Sequence, residues 1–259
     1  MIEITPIPTF TDNYVWLLRE PGRGRATVVD PGDAAPVLAA LDAAGLELGS
    51  ILVTHHHADH VGGIAALLER HPGAPVYAPA GERIPGCTVD LADGDRITPA
   101  GLPLELAVLE VPGHTAGHIA YYGEGSLFCG DTLFGCGCGR LFEGTPQQMS
   151  ASLDRLAALP GDTRVYCAHE YTLENIGFAK WVEPDSPELL AREQRDRALR
   201  AAGLPTVPST LELERRTNPF LRVREPSVIT AAQQYAQAPL ATPSAVFAAV
   251  RRWKDREYD

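Results

Sequence analysis

Residues 54–60 read Thr54-His55-His56-His57-Ala58-Asp59-His60, directly after the apolar run Ile51-Leu52-Val53. No other segment constrains this chain as much. Neutral imidazole and carboxylate both suit zinc and related divalent ions, and four such side chains within six residues point to a metal site. Residues two apart on an extended segment point the same way, so His55 and His57 share a face. Asp59 and His60 fall on the following turn and face elsewhere. One tetrahedral ion that also binds water cannot use all four side chains, whereas two adjacent ions can.

Further ligand types stand at the ends of other predicted strands. His114 lies in Pro112-Gly113-His114-Thr115-Ala116-Gly117-His118, Asp131 in Cys129-Gly130-Asp131-Thr132, and His169 in Cys167-Ala168-His169-Glu170. Three strands that each end in a metal-type residue fit a site at one sheet edge. His55, His57 and His114 can hold one ion, and Asp59, His60 and His169 the other. Asp131 is left as a carboxylate able to bridge two cations. Ions about 3.5–4 Å apart can share a water and ionise it near neutral pH. Asp59 and Asp131 are thus the candidate catalytic residues as well as ligands. His56 reads as a supporting or solvent-facing residue and His71 as a helix end. His118 and Asp30 could orient ligands or serve structure alone. Cys136-Gly137-Cys138 lacks the second cysteine pair of a thiolate zinc site.

Up to about residue 170 the chain alternates short β-rich runs with turns and a few helices. The pattern predicts strands at Tyr14–Arg19, Ala26–Val29, Ser50–Thr54, Pro75–Tyr77, Glu105–Val111, Ile119–Tyr122, Ser126–Cys129 and Arg164–Ala168. Gly123-Glu124-Gly125 marks a hairpin turn. Helices are predicted at Ala35–Ala44, Val61–Arg70 and Pro146–Ala158. Beyond Tyr171 the strand signals stop. Glu174–Trp181, Pro187–Ala202, Ser227–Tyr235 and Pro243–Trp253 read as helices, with Ser186 and Thr242 as N-caps before Pro187 and Pro243. The expected organisation is an α/β (α+β) body at 1–170 and a smaller helical domain at 171–259.

Composition narrows the partners. The 259 residues are 45% hydrophobic and 21% charged, which is ordinary for a globular chain and not for a disordered one. A net charge of −11 argues against nucleic acid, which needs a positive field. It leaves room for an anionic small molecule held by a local basic patch. No run approaches the roughly 18–20 apolar residues of a membrane helix, so no membrane partner is expected. Met1-Ile2-Glu3-Ile4-Thr5-Pro6 has no cationic leader pattern. Five cysteines do not resemble a disulfide framework, so a reduced, cytoplasmic setting is expected. The chain is also expected to be a monomer.

The pattern Thr54-His55-x-His57-x-Asp59-His60, with separated His114, Asp131 and His169, resembles the metallo-β-lactamase superfamily. That resemblance implies an αββα sandwich with a dinuclear site at its edge. Gly130-Asp131-Thr132-Leu133-Phe134 and Gly137-Cys138-Gly139-Arg140-Leu141-Phe142-Glu143-Gly144-Thr145 resemble the glyoxalase II family, the hydroxyacylglutathione hydrolases. So do His169-Glu170-Tyr171-Thr172, Arg216-Thr217-Asn218-Pro219-Phe220-Leu221-Arg222 and Ala249-Val250-Arg251-Arg252-Trp253-Lys254. The resemblance covers nearly the whole chain. It implies two divalent ions per chain, zinc first, with iron or manganese as alternatives. It implies glutathione contacts at Arg140, Tyr171, Arg251 and Lys254, and places Phe142 where the family often has Tyr.

The implied reaction is hydrolysis of S-(R)-lactoylglutathione to D-lactate and glutathione, the second step of methylglyoxal detoxification. Glutathione carries two carboxylates, and Arg251 and Lys254 are neighbours on one face of a predicted helix. The alternative for that pair is a solvated terminus, since Asp255, Glu257 and Asp259 follow. Competing functions are a glutathione persulfide dioxygenase, another hydrolase of the same fold, and a non-catalytic metal-binding protein.

Overall fold

The computed structural model describes residues 2–258, so Met1 and Asp259 lie outside the described residues. The residues form two compact units. The first runs through Glu110 and includes Gly117–Gly130, and the second holds Val111–Ala116 and everything from Asp131.

The first unit begins with β1 (Glu3–Thr9), β2 (Asn13–Arg19), β3 (Arg25–Val29), α1 (Ala34–Ala44) and β4 (Glu47–Leu52). There follow α2 (Ala58–Val61), α3 (Ile64–Arg70), β5 (Val76–Pro79), β6 (Val89–Leu91), β7 (Arg96–Ile97), β8 (Leu106–Glu110), β9 (Ile119–Gly123) and β10 (Ser126–Gly130). Strands β1 to β6 form one six-stranded sheet in chain order. β1, β2 and β3 pair antiparallel, whereas β3, β4, β5 and β6 run parallel. Parallel neighbours need crossovers, and the helices between β3 and β5 supply them. Val28, Ile51, Val53 and Val76 bury one sheet face against Val37 and Leu41 of α1 and Ile64 and Leu67 of α3. β7 to β10 form an antiparallel meander. Glu124 and Gly125 both have positive φ, 45° and 70°, as the two-residue hairpin turn expected there requires.

The second unit contains β11 (Leu133–Phe134), β12 (Gly137–Cys138), α4 (Pro146–Ala157), β13 (Arg164–Cys167), α5 (Thr172–Val182) and α6 (Pro187–Ala201). It continues with β14 (Ser209–Thr210), α7 (Leu211–Thr217), α8 (Pro226–Ala236) and α9 (Pro243–Trp253). Ser186 and Thr242 cap α6 and α9 as expected, accepting from Leu189 N and Ala245 N. Thr145 and Gln148 add a capping box at α4.

Four differences from the sequence expectation have local causes. β1 escaped notice because Pro6 and Pro8 interrupt it, and its place at the sheet edge is where strand prolines are tolerated. Val61–Arg70 is not one helix but α2 and α3, divided at Gly62-Gly63. There the 31–34 backbone approaches so closely that a Cβ on Gly63 would lie 2.6 Å from Ala34 N. α7 is short and carries no apolar stripe to announce it. The strand expected at Ser50–Thr54 ends at Leu52, while Val53 N still donates to the Tyr77 carbonyl and the Thr54 carbonyl accepts from Ile119 N at 3.0 Å.

Candidate metal centre

In the first unit the donors stand beyond the carboxyl end of β4, and Asp30, just past β3, organises them. Asp30 accepts from Thr54 N at 2.7 Å and from Thr54 Oγ1 at 2.8 Å. The single hydroxyl proton of Thr54 is thereby used. Its contact with His55 Nδ1 at 3.0 Å therefore has the imidazole donating, and Nε2 carries the lone pair. The second Asp30 oxygen also lies 3.2 Å from His60 Nδ1, a close charge contact. One buried carboxylate thus sets the tautomer of His55 through Thr54 and lies beside His60, as supporting carboxylates do around metal-binding imidazoles. His118 stacks on His55 at 4.6 Å between ring centroids. His56 turns aside to Glu82, at 2.9 Å. Asp59 and His60 occupy the short α2, and Asn13 Nδ2 donates to Asp59 Oδ2 at 2.9 Å.

In the second unit, His114 Nδ1 donates to the Arg140 carbonyl at 2.8 Å, so His114 also presents Nε2. Asp131 offers one oxygen to each of two imidazoles: Oδ2 lies 3.4 Å from His114 Nε2 and Oδ1 lies 3.4 Å from His169 Nε2. That is the disposition expected of a bridging carboxylate. Gly139 allows it, because a Cβ there would fall 1.9 Å from the Asp131 carbonyl and 3.1 Å from His114 Nδ1.

These spacings test the fit to a metal. An ordinary N–H···O bond is about 2.7–3.2 Å long. A tetrahedral ion with bonds of about 2.0–2.1 Å spaces its ligands about 3.3–3.4 Å apart. His55 Nε2 and His57 Nδ1 are 3.2 Å apart, and His60 Nε2 and Asp59 Oδ2 are 3.4 Å apart. With the two Asp131 pairs, these spacings fit ligands that would share an ion, and the His55–His57 contact is also within hydrogen-bonding distance. The donors are of the type and burial that could hold a divalent ion.

The remaining candidates all lie in the second unit. Tyr171 stacks almost parallel on His169 at 4.7 Å. Phe142 is 62% exposed with its edge against His114. Arg251 is buried in the last turn of α9. Its Nε and Nη2 donate to Asp255 Oδ1 at 3.1 and 2.7 Å, and its Nη1 donates to the Cys138 carbonyl at 3.0 Å. Arg140 Nε lies 3.6 Å from the same Asp255 oxygen. Lys254 is buried beside the Tyr258 ring. These residues do not form a solvated terminus: Asp255 draws Arg140 and Arg251 together.

Sequence reasoning missed the network beneath the Asp131 segment. Glu214 accepts from Cys136 N at 2.8 Å and from Arg192 Nη2 at 2.6 Å, with both Glu214 and Arg192 side chains fully buried. Asn218 donates to the Gly137 carbonyl at 2.9 Å. The Arg216–Arg222 motif therefore supports the loop from below. Asn13 was missed because a lone amide carries no pattern. Cys136 and Cys138 do not form a thiolate pair. Cys136 Sγ donates to the Thr217 carbonyl, and Cys138 Sγ lies near Arg251.

Comparison with known proteins agrees along the whole chain. Residues 8–169 match the metallo-beta-lactamase superfamily, and residues 170–257 match the hydroxyacylglutathione hydrolase C-terminus. A protein of Alkalilimnicola ehrlichii named hydroxyacylglutathione hydrolase is 58% identical, over 99% of this chain and 100% of its own length. Among solved structures, ETHE1 from Myxococcus xanthus is similar with a TM-score of 0.64 at 24% identity, covering 96% of each chain, which bears on the fold alone. TTHA1623, solved in a di-iron-bound form, is similar with a TM-score of 0.58 at 29% identity, covering 85% of this chain and 100% of that one.

Proposed function

We propose that this chain, which belongs to the hydroxyacylglutathione hydrolase family of the metallo-beta-lactamase superfamily, hydrolyses S-2-hydroxyacylglutathione thioesters. S-(R)-lactoylglutathione is the foremost substrate, giving D-lactate and glutathione. The observation that carries the reading is the C-terminal match at residues 170–257. The superfamily fold alone hosts many reactions, so the fold cannot name the substrate. No observation favours the persulfide dioxygenase or a non-catalytic role over this reading.

Two divalent ions are assigned, zinc first, one to His55, His57 and His114 and one to Asp59, His60 and His169, with Asp131 shared. Bound there, such ions lower the pKa of a coordinated water and polarise the thioester carbonyl. The protein supplies the rest. Asp59 orients the attacking water. Asp30, through Thr54, and the Arg140 carbonyl keep His55 and His114 in the tautomers that leave Nε2 as a ligand atom. Arg140, Arg251 and Lys254 provide the positive charge that the two glutathione carboxylates need. Tyr171 and Phe142 offer aromatic walls. A cysteine nucleophile has no support: burial pushes the Cys136 and Cys167 thiols up to about 12 and Cys138 up to about 11. Among the described residues no helix is long and apolar enough to cross a membrane; a cytoplasmic monomer completes the proposal.

Elemental analysis with a lactoylglutathione assay tests it. We expect about two ions per chain and loss of both in Asp131→Ala. One ion, unchanged by Asp131→Ala, would sink the dinuclear assignment. A metal-loaded protein inert on the thioester but consuming oxygen with glutathione persulfide would replace the substrate assignment.

A further inference from the structure

In the reading above Asp59 both holds an ion and orients the attacking water. A carboxylate has two oxygens, and some neighbour must decide which does which. The Asp59 side chain is 41% exposed, so packing alone does not set its plane. Its backbone is held firmly, since a Cβ on Gly32 would lie 1.8 Å from the Asp59 carbonyl. The same Cβ would lie 2.9 Å from the Phe10 ring, so the β1–β2 hairpin packs against the segment that braces Asp59. Asn13 opens β2 from that hairpin, paired with Thr9, and is buried. Its Nδ2 donates to Asp59 Oδ2 at 2.9 Å, across 46 residues of chain. Only the NH2 side of the amide can meet a carboxylate in this way.

We propose that Asn13 is a positioning residue that fixes the plane of the Asp59 carboxylate. Its amide holds Oδ2 on the side of His60 Nε2, 3.4 Å away, as the oxygen that would meet an ion. A carboxylate oxygen has two lone-pair directions, so Oδ2 can take the amide on one and an ion on the other. A neutral amide suits the task because it fixes the oxygen without a second cation that would compete for its charge. The inference rests on the metal reading of Asp59 and not on which acyl group is cleaved.

The test compares Asn13→Leu, similar in size without a donor, with Asn13→Asp, the same shape with an acceptor facing Asp59. Metal affinity is measured by competition with a chromophoric chelator, and the visible spectrum of the cobalt-substituted protein reports ligand geometry. Steady-state kinetics use lactoylglutathione and a small thioester lacking the tripeptide, and Tm is followed for each variant. In Asn13→Leu the ion assigned to Asp59, His60 and His169 should lose about 10- to 100-fold in affinity, the range for a residue supporting a metal ligand. The cobalt spectrum should change, and kcat should fall about tenfold or more on both thioesters with KM held. Asn13→Asp should be worse on every readout. Wild-type chelator competition and an unaltered cobalt spectrum in Asn13→Leu would overturn the proposal. So would a rate loss that follows Tm alone, which would assign Asn13 to packing, or a KM rise confined to the glutathione thioester, which would assign it to substrate. The chelator and cobalt measurements need no substrate, so they decide the matter even if the thioester reading fails.

Discussion

The two groups of donors are held in place by different means. In the first unit they are local: four side chains within six residues, with one carboxylate, Asp30, at the end of the neighbouring parallel strand orienting His55 through Thr54 and lying beside His60. In the second unit His114, Asp131 and His169 come from separate segments, and main-chain carbonyls and a buried ion network support them. A local group needs one anchor. A dispersed group needs the tertiary structure around it to be rigid, so its support is larger and lies further from the chemistry.

Breaking each support should show the contrast. Glu214→Leu should have the largest effect and should act on stability. It takes one of two buried carboxylates from the fully buried Arg192 guanidinium, leaving Asp196 at 3.3 Å, and it removes the acceptor of Cys136 N, so the cost should approach the about 3–5 kcal/mol of breaking a buried pair. Chemical denaturation should show that loss, and an unchanged midpoint would mean that the network bears no weight. Asp30→Ala should spare stability more and metal more severely. His55 loses its tautomer control and His60 its neighbouring carboxylate, so kcat/KM should fall about 10- to 100-fold, with metal content falling alongside. Full metal occupancy in Asp30→Ala would show that the first unit's donors need no anchor.

Arg251→Ala should cost about 10- to 100-fold in kcat/KM on lactoylglutathione. Because Arg251 also holds the Cys138 carbonyl, a small thioester should suffer too, though less. Lys254→Ala should affect the glutathione thioester alone, so equal behaviour of the two variants would erase the distinction. Phe142→Tyr should have a smaller effect. One added neutral hydrogen bond contributes about 0.5–1.5 kcal/mol, read as a KM lowered by up to about tenfold; a raised KM would show that Phe142 meets substrate through its apolar face. Last, the buried thiols of Cys136, Cys138 and Cys167 lose their protons only as pH rises towards about 11–12. Alkylation of the native protein at pH 8 should therefore leave all three unmodified by mass spectrometry, and modification of any would show that the second unit opens.

What could be read in the sequence follows the same division. His55 to His60 advertise themselves because strand, turn and ligands are contiguous, and the capped helices α6 and α9 do so through Ser186-Pro187 and Thr242-Pro243. β1 and α7 were not legible, because the first hides behind prolines at a sheet edge and the second is held by buried charges rather than an apolar stripe. Asp30 could be suspected from its place after a strand, but not its contacts with Thr54 and His60. Asn13 and Glu214 act through contacts 46 and 78 residues away, distances over which no spacing rule operates.

The bond from Arg251 to Cys138 closes a loop of 113 residues. Translation delivers the chain in one direction, so Cys138 leaves the ribosome well before the side chain that ties it down. The histidines of the first unit emerge earlier still, already beside their anchor. Neither donor set is complete until His114, Asp131 and His169 have followed, and Arg251 comes later still. The order of synthesis thus delivers the donors before the groups that would meet a tripeptide, and the long closure at Arg251 is among the last contacts available to form.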